Sequence, residues 1–199
     1  MKDKILDSCI CFLQKYNNYS KKDLLKLRYG LEGIYLTITK LIIILLLSLI
    51  LGIFKEVILV IIFFNILRFF GFGFHAEKSS QCLIMSIINF VLIPFLLLTI
   101  PDILIVNLVV SVFCIINFIL FAPADTVKRP LHSKRKRITR KVLTVGVAII
   151  YMILIIILNN HGLRSILLSS LIIQTIMVNP LTYLLAKQPY NNYKNLNSA

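Results

Sequence analysis

The chain has 199 residues, of which 58% are hydrophobic, with a mean hydropathy of +0.88 and a formal net charge of +14. Globular proteins are about 45–50% apolar, so this composition excludes an ordinary soluble domain and predicts an integral membrane protein that forms one compact bundle. The basic residues flank apolar runs, which assigns them to membrane orientation and anionic lipid rather than to nucleic acid.

Residues 3–16 predict an amphipathic helix. Ile5, Leu6, Cys9, Phe12, Leu13 and Tyr16 recur at helical spacing, opposite Lys4, Asp7, Cys11 and Lys15. At that length the helix lies on a membrane surface rather than crossing it. Asn17-Asn18-Tyr19 reads as a break, and Ser20 followed by Asp23 as the start of a second helix with the serine as its cap. The first 32 residues are too charged for a cleavable signal peptide.

Six apolar segments follow, at about 33–54, 57–74, 82–100, 103–122, 142–158 and 165–186. Each is near the roughly 20 residues that a spanning helix needs. Lys55-Glu56 and Pro101-Asp102 mark tight turns between neighbouring spans. Twenty of the 22 Lys and Arg residues then fall on one side of the membrane, leaving Lys55 and Arg164 on the other. That bias predicts both termini in the cytoplasm. No internal repeat of the kind that builds inverted-repeat transporters is visible. The expected fold class is therefore all-α: a polytopic membrane helical bundle of about six transmembrane helices plus an N-terminal amphipathic helix. Its parts are a cytoplasmic amphipathic region at 1–32, a bundle at 33–186 with loops at 73–82 and 123–141, and a cytoplasmic tail at 187–199.

The four cysteines, Cys9, Cys11, Cys82 and Cys114, have neither zinc-type spacing nor a disulfide pattern. Cys114 lies within an apolar span and reads as a packing residue. Cys82 is different, because His75 precedes it by seven residues at the same membrane boundary. On one straight helix the two would lie about 10 Å apart along the axis, too far for proton transfer. The pair can do chemistry only if the backbone breaks between the spans, and Gly71 and Gly73 supply residues that tolerate a break. A thiolate is the attacking species, and a neighbouring histidine can take the thiol proton and return it to a leaving amine. The plainer alternative makes His75 an interfacial polar tip and Cys82 a packing residue.

Arg68 falls a further seven residues back, deeper in the span, where a guanidinium is costly. It either snorkels to the surface or binds a substrate carboxylate or carbonyl, or a developing oxyanion. Glu77 is placed either to orient His75 or as a solvated surface charge. Residues 128–141 carry eight positive charges, including Lys128, Arg129, Lys134, Arg135, Lys136 and Arg137. They serve as a topology determinant beside anionic lipid, or also capture an acidic peptide. No phosphate-binding loop or metal-ligand cluster is found, so neither a cofactor nor a metal is expected.

The run Arg68-Phe69-Phe70-Gly71-Phe72-Gly73-Phe74-His75-Ala76, followed by Cys82, resembles the signature of the accessory gene regulator protein B family. These are membrane cysteine endopeptidases of Gram-positive quorum sensing. Ala122-Pro123-Ala124-Asp125-Thr126-Val127-Lys128-Arg129-Pro130-Leu131 is similar to the family's other recurrent motif. Many members carry two adjacent glycines before the aromatic–His pair; here Phe72 replaces the first, while Arg68, Gly73, His75 and Cys82 keep the family spacing. The resemblance implies catalysis by His75 and Cys82 on a propeptide with an amphipathic N-terminus and an acidic C-terminal tail. Cleavage would pass through an acyl-thioester on Cys82 and allow closure of a thiolactone or lactone ring. It also implies a homodimer in the plasma membrane of a Gram-positive bacterium. The alternative reading is a peptide transporter or exporter without proteolytic chemistry of its own.

Overall fold

The computed structural model describes residues 2–15, 19–75, 79–125, 131, 133–190 and 192, which form helices and connecting turns with no strand among them. Two compact units are present, Met1–Leu46 and Leu47–Ala199.

In the first unit, α1 (Lys2–Gln14) is followed by α2 (Lys21–Ile50), whose last turn belongs to the second unit. The expected cap is present: the Asp23 amide donates to Ser20 Oγ at 3.2 Å, which satisfies one of the four orphan donors of a helix start. α1 and the polar start of α2 are joined by ion pairs. Arg28 reaches Asp7 at 3.1 Å and Asp3 at 3.7 Å, and Lys2 pairs with Glu32. The Glu32 carboxylate, hydrogen-bonded to Lys2, raises the pKa of that ammonium. Ile5 and Phe12 of α1 are exposed, as suits a helix whose apolar face meets lipid.

In the second unit α2 ends in a Schellman turn. The Ile53 amide donates to Ser48 O at 2.9 Å and the Gly52 amide to Leu49 O at 3.1 Å, with Gly52 at φ 72°. That pattern needs a left-handed residue one position past the cap, which glycine supplies without strain. It reverses the chain into α3 (Phe54–Gly71), which buries Val57, Val60, Phe64, Leu67 and Gly71 along one stripe. α4 (Ser79–Ile87), a π-helical turn (Ile88–Leu92) and α5 (Ile93–Thr99) form one rod. Pro94 explains the wide turn, since its ring displaces the carbonyl four residues back and lacks an amide hydrogen. α6 (Leu104–Phe121), α7 (Lys134–Ile157), α8 (His161–Val178) and the short α9 (Pro180–Leu185) complete the unit.

α8 is the hub, packed against α3, α5, α6 and α7. Among the helices that could span a membrane, its spanning stretch is the least apolar and the most deeply buried. Its serines explain both facts. Ser165, Ser169 and Ser170 are buried, and small side chains let helices approach closely where lipid offers no hydrophobic driving force. Ser169 and Ser170 also bond back to their own helix, and Ser165 Oγ donates across to Leu97 O at 3.0 Å.

Among the described residues five helices are long and apolar enough to cross a membrane: α2, the Ser79–Thr99 rod, α6, α7 and α8. α3 has 18 residues but carries Lys55, Glu56 and Arg68, and it packs inside the bundle against α7 and α8. The six expected segments thus map onto these five helices and α3. The fifth differs in extent, because α7 starts at Lys134 and turns most of the basic run into helix. The last is divided by Asn179-Pro180 into α8 and α9.

Candidate active site

The two motifs singled out in the sequence are bonded to each other. α3 stops at Gly71, and the chain then leaves the helix through Phe72, Gly73 and Phe74 to His75, while the next helix starts at Ser79. The Ala124 amide donates to Gly71 O at 3.1 Å, and the Gly73 amide donates to Ala124 O at 2.9 Å. Phe72 and Ala124 form an isolated parallel bridge, entered through a cis Ala122–Pro123 peptide bond. α8 grips the other edge. The Phe74 amide donates to Met177 O at 2.7 Å, and Gln174 Nε2 donates to Phe72 O at 2.9 Å. Arg68 closes the loop from within, donating through Nη2 to Phe74 O at 3.0 Å.

Both glycines are required by space. A Cβ on Gly73 would lie 2.9 Å from Met177 O, and the residue has φ 125°. A Cβ on Gly71 would lie 2.7 Å from Gln174 Nε2 and 3.1 Å from Thr144 Cγ2. Between them Phe72 adopts φ 53°, a conformation that costs a non-glycine residue about 1–3 kcal/mol. Three contacts hold it there: its amide on Arg68 O, its carbonyl on Gln174, and the Arg140 guanidinium 4.3 Å from its ring centroid. Arg140 also donates to Phe69 O at 2.8 Å.

The partner loop is anchored as firmly. Asp125 is buried and accepts the Asn192 amide at 2.9 Å on Oδ1. The Tyr183 hydroxyl, buried under Phe74 and Tyr190, donates to Asp125 O at 3.3 Å. These bonds give His75 a fixed point of departure from an otherwise apolar bundle.

His75 is exposed at the end of this loop, and Cys82 is half-buried in the first turn of α4, at the margin of the core. Arg68 is half-buried at the base of the loop, where its guanidinium donates to Phe74 O. Gly73 is buried in the loop itself. Glu77, Lys128 and Arg129 lie outside the described residues. Lys134, Arg135, Lys136 and Arg137 form the first turn of α7, the first three exposed. Cys114 is buried in α6, as its apolar surroundings predict. No cluster of His, Cys, Asp or Glu suited to a metal is present among the described residues.

Sequence reasoning missed Gln174, Tyr183, Arg140 and Asn192. Gln174 left a signal, since an amide in the middle of an apolar span needs a partner. Its side chain is fully buried, and its Oε1 is without a hydrogen-bond partner. Tyr183, Arg140 and Asn192 carry no such mark, because tyrosine, arginine and asparagine are ordinary at a membrane boundary.

An all-helical, multi-pass bundle with a thiol and an imidazole on the two sides of one helix break, the break itself clamped by main-chain bonds, defines the class: an integral membrane protein built around a polar mouth. The chain belongs to the accessory gene regulator B family, whose model matches residues 6–178. It is 35% identical to a putative AgrB-like protein of Listeria innocua over 172 residues, 85% of this chain and 83% of the relative. It is 31% identical to a putative AgrB-like protein of Clostridium acetobutylicum over 195 residues, 96% and 91% of the two chains. Accessory gene regulator protein B of Staphylococcus aureus is 28% identical over 170 residues, 85% and 90% of the two chains. No solved structure matches the chain.

Proposed function

We propose that the protein is a membrane cysteine endopeptidase that trims a quorum-sensing propeptide and hands its signal segment on for cyclisation. The observation that carries this reading is the clamped helix break, which releases His75 and Cys82 from the helical spacing that would keep them apart. Membership of the accessory gene regulator B family supports it.

The Cys82 thiolate attacks the carbonyl carbon at the junction of signal and acidic tail. His75, protonated by the thiol, gives its proton to the departing amine as the C–N bond breaks. The signal segment remains as a thioester on Cys82. A thiol or hydroxyl within the peptide then attacks that carbonyl, the bond to Cys82 breaks, and a thiolactone or lactone leaves. The acyl bond stays activated throughout, so ring closure needs neither ATP nor a cofactor. Water must be kept from the thioester, and a mouth walled by apolar helices suits that need. Arg68, which donates to Phe74 O in the loop that ends at His75, stabilises the developing oxyanion or holds the substrate carbonyl.

The substrate's amphipathic N-terminus lies in the membrane surface, and its acidic tail is drawn to the basic start of α7 and to the neighbouring Lys128 and Arg129. Both termini face the cytoplasm of a Gram-positive cell, with the protein acting as a homodimer beside anionic lipid. Purified protein with a propeptide tests the chemistry. Cys82→Ala and His75→Ala should each lower cleavage by more than about a thousandfold without loss of membrane insertion, and Cys114→Ala should cleave normally. Cleavage at the wild-type rate by Cys82→Ala protein would sink the thiol mechanism.

A further inference from the structure

Beside the clamp, but outside it, lies a cavity of about 470 Å³ between the C-terminus of α6 and the first turns of α7. Lys134, Arg137 and Lys141 line one wall, at the spacing that puts them on one helix face. Phe121, Pro123 and Tyr190 line another. Among the described residues no acidic side chain borders it. Lys141 spends one N–H on Ile119 O at 2.7 Å and keeps two. The Tyr190 hydroxyl donates to Phe121 O at 3.1 Å, so its hydrogen is committed and the cations alone recognise an occupant.

The rim of this cavity is greasy. Leu120 and Ile138, both lining residues, are 62% and 55% exposed, and Ile119 and Val142 extend the exposed apolar surface along the same two helices. An occupant that satisfies both features carries an anionic group on hydrocarbon. We propose that the cavity binds the phosphodiester of an anionic phospholipid such as phosphatidylglycerol, with the acyl chains laid over Leu120 and Ile138. A choline headgroup fits less well, because it brings a cation against three others. An acidic peptide offers carboxylates but nothing to cover the apolar rim.

The site has a consequence for the clamp. Ala122 and Pro123 line the cavity, and the next residue, Ala124, bonds to both Gly71 and Gly73. A phosphate held between α7 and this segment ties Lys134 and Lys141 to the stretch whose Ala124 bonds the His75 loop. Lipid occupancy therefore steadies the loop; this half of the proposal rests on the endopeptidase reading, whereas the binding half does not.

The test uses the full-length protein, stripped of lipid and placed in nanodiscs of phosphatidylcholine with a minor fraction of labelled phosphatidylglycerol. Wild type should retain phosphatidylglycerol over phosphatidylcholine, and Lys134→Gln/Lys141→Gln protein should lose about tenfold of that preference. Lys21→Gln/Lys22→Gln protein, which loses the same charge elsewhere, should keep it. Equal loss in both double variants, or no preference in wild type, overturns the site. Inorganic phosphate at matched concentration should not displace the lipid; displacement would make this a phosphate site rather than a lipid site. Displacement by a synthetic poly-glutamate peptide from Arg135→Gln/Lys136→Gln protein, in which the exposed tail-attracting charges outside the cavity are gone, would assign the cavity to a peptide and likewise overturn the proposal. In the second arm, propeptide cleavage by wild type should rise severalfold when phosphatidylglycerol is added, and the cavity variant should not respond. Lipid selection with a lipid-indifferent cleavage rate overturns the coupling. Lipid selection by a protein that cleaves nothing in either lipid supports the site and counts against the endopeptidase.

Discussion

The two ends of the Leu47–Ala199 bundle are closed by opposite means. At the end that holds the α5–α6 and α7–α8 turns, side chains do the work. Arg164 donates to Asp102 at 2.8 Å and to Leu158 O at 2.6 Å, and Asn107 donates to the other Asp102 oxygen at 2.6 Å. Both charged side chains are largely shielded, at 13% and 18% exposure. At the other end the closure runs through main-chain amides and carbonyls of residues 71–74, 124 and 177, with glycines where backbones touch. A side-chain clasp tolerates small shifts, since rotamers can follow. A backbone clamp transmits every displacement to the residue that leaves it, and here that residue is His75. The structure thus joins one end through backbone that can shift little and the other through an ion pair whose side chains can follow.

That contrast is breakable, and the largest effect is expected at Gly73. A methyl group there meets the Met177 carbonyl, so Gly73→Ala should move the loop and cut propeptide cleavage by about a hundredfold, measured on protein whose helical content is unchanged. Cleavage within about threefold of wild type would mean that the clamp does not position the chemistry.

Removing the clasp at the opposite end should reverse the pattern. Asp102→Ala strands a shielded Arg164 charge and should cost about 2 kcal/mol of stability, a value discounted for its partial exposure to the boundary. Cleavage per folded molecule should change less than twofold, about 0.4 kcal/mol. A large loss of turnover in folded protein would show that the two ends are coupled.

Charge sharpens the comparison further. Arg135→Gln/Lys136→Gln should raise the apparent KM for a propeptide with an acidic tail by a few-fold at low salt and leave kcat unchanged, since exposed charges act weakly and within a Debye length of about 8 Å at physiological salt. Wild type should lose that advantage as salt rises. A kcat effect with no change in KM would assign these residues to structure.

The smallest effect is expected at Phe72. Phe72→Gly removes the strain of φ 53° but also removes the Arg140 contact and frees the unfolded chain, so stability should rise by less than about 1 kcal/mol. Phe72→Ala keeps the strain and loses the contact, and should destabilise by about the same amount. If both variants behave alike in thermal unfolding, the left-handed backbone at this position is not strained.

Much of the bundle was legible because lipid imposes a simple rule: a spanning helix must be long and apolar. That rule found the spans and the buried Cys114, but it put the first tight turn at Lys55-Glu56, whereas the chain reverses at Gly52 and those two charges sit in the first turn of α3. The need for a break near Gly71 and Gly73 followed from the geometry of His75 and Cys82 alone. What closes the break was not legible. Ala124 contributes only its main chain, which any residue could supply, so no side chain advertises the bond to Gly71. Met177 likewise contributes a carbonyl. The early start of α7 was hidden for a related reason: Lys134-Arg135-Lys136-Arg137 is polar enough to read as loop, yet Ser133 caps a helix there and lysine and arginine are good helix formers. Asn179-Pro180 did carry a legible stop, and it divides the last apolar run as proline geometry requires.

The buried serines of α8 bear on how the protein is made. A segment that is less apolar than its neighbours partitions poorly into lipid when it meets the bilayer alone. α8 emerges from the ribosome after α3, the Ser79–Thr99 rod, α6 and α7, the helices that surround it in the bundle. Its insertion is therefore expected to draw on partners already in place, with the wall laid before the polar post is set. The Gln174 and Met177 contacts that grip the His75 loop form only with α8, so a nascent chain has no finished His75 loop until that helix has been translated.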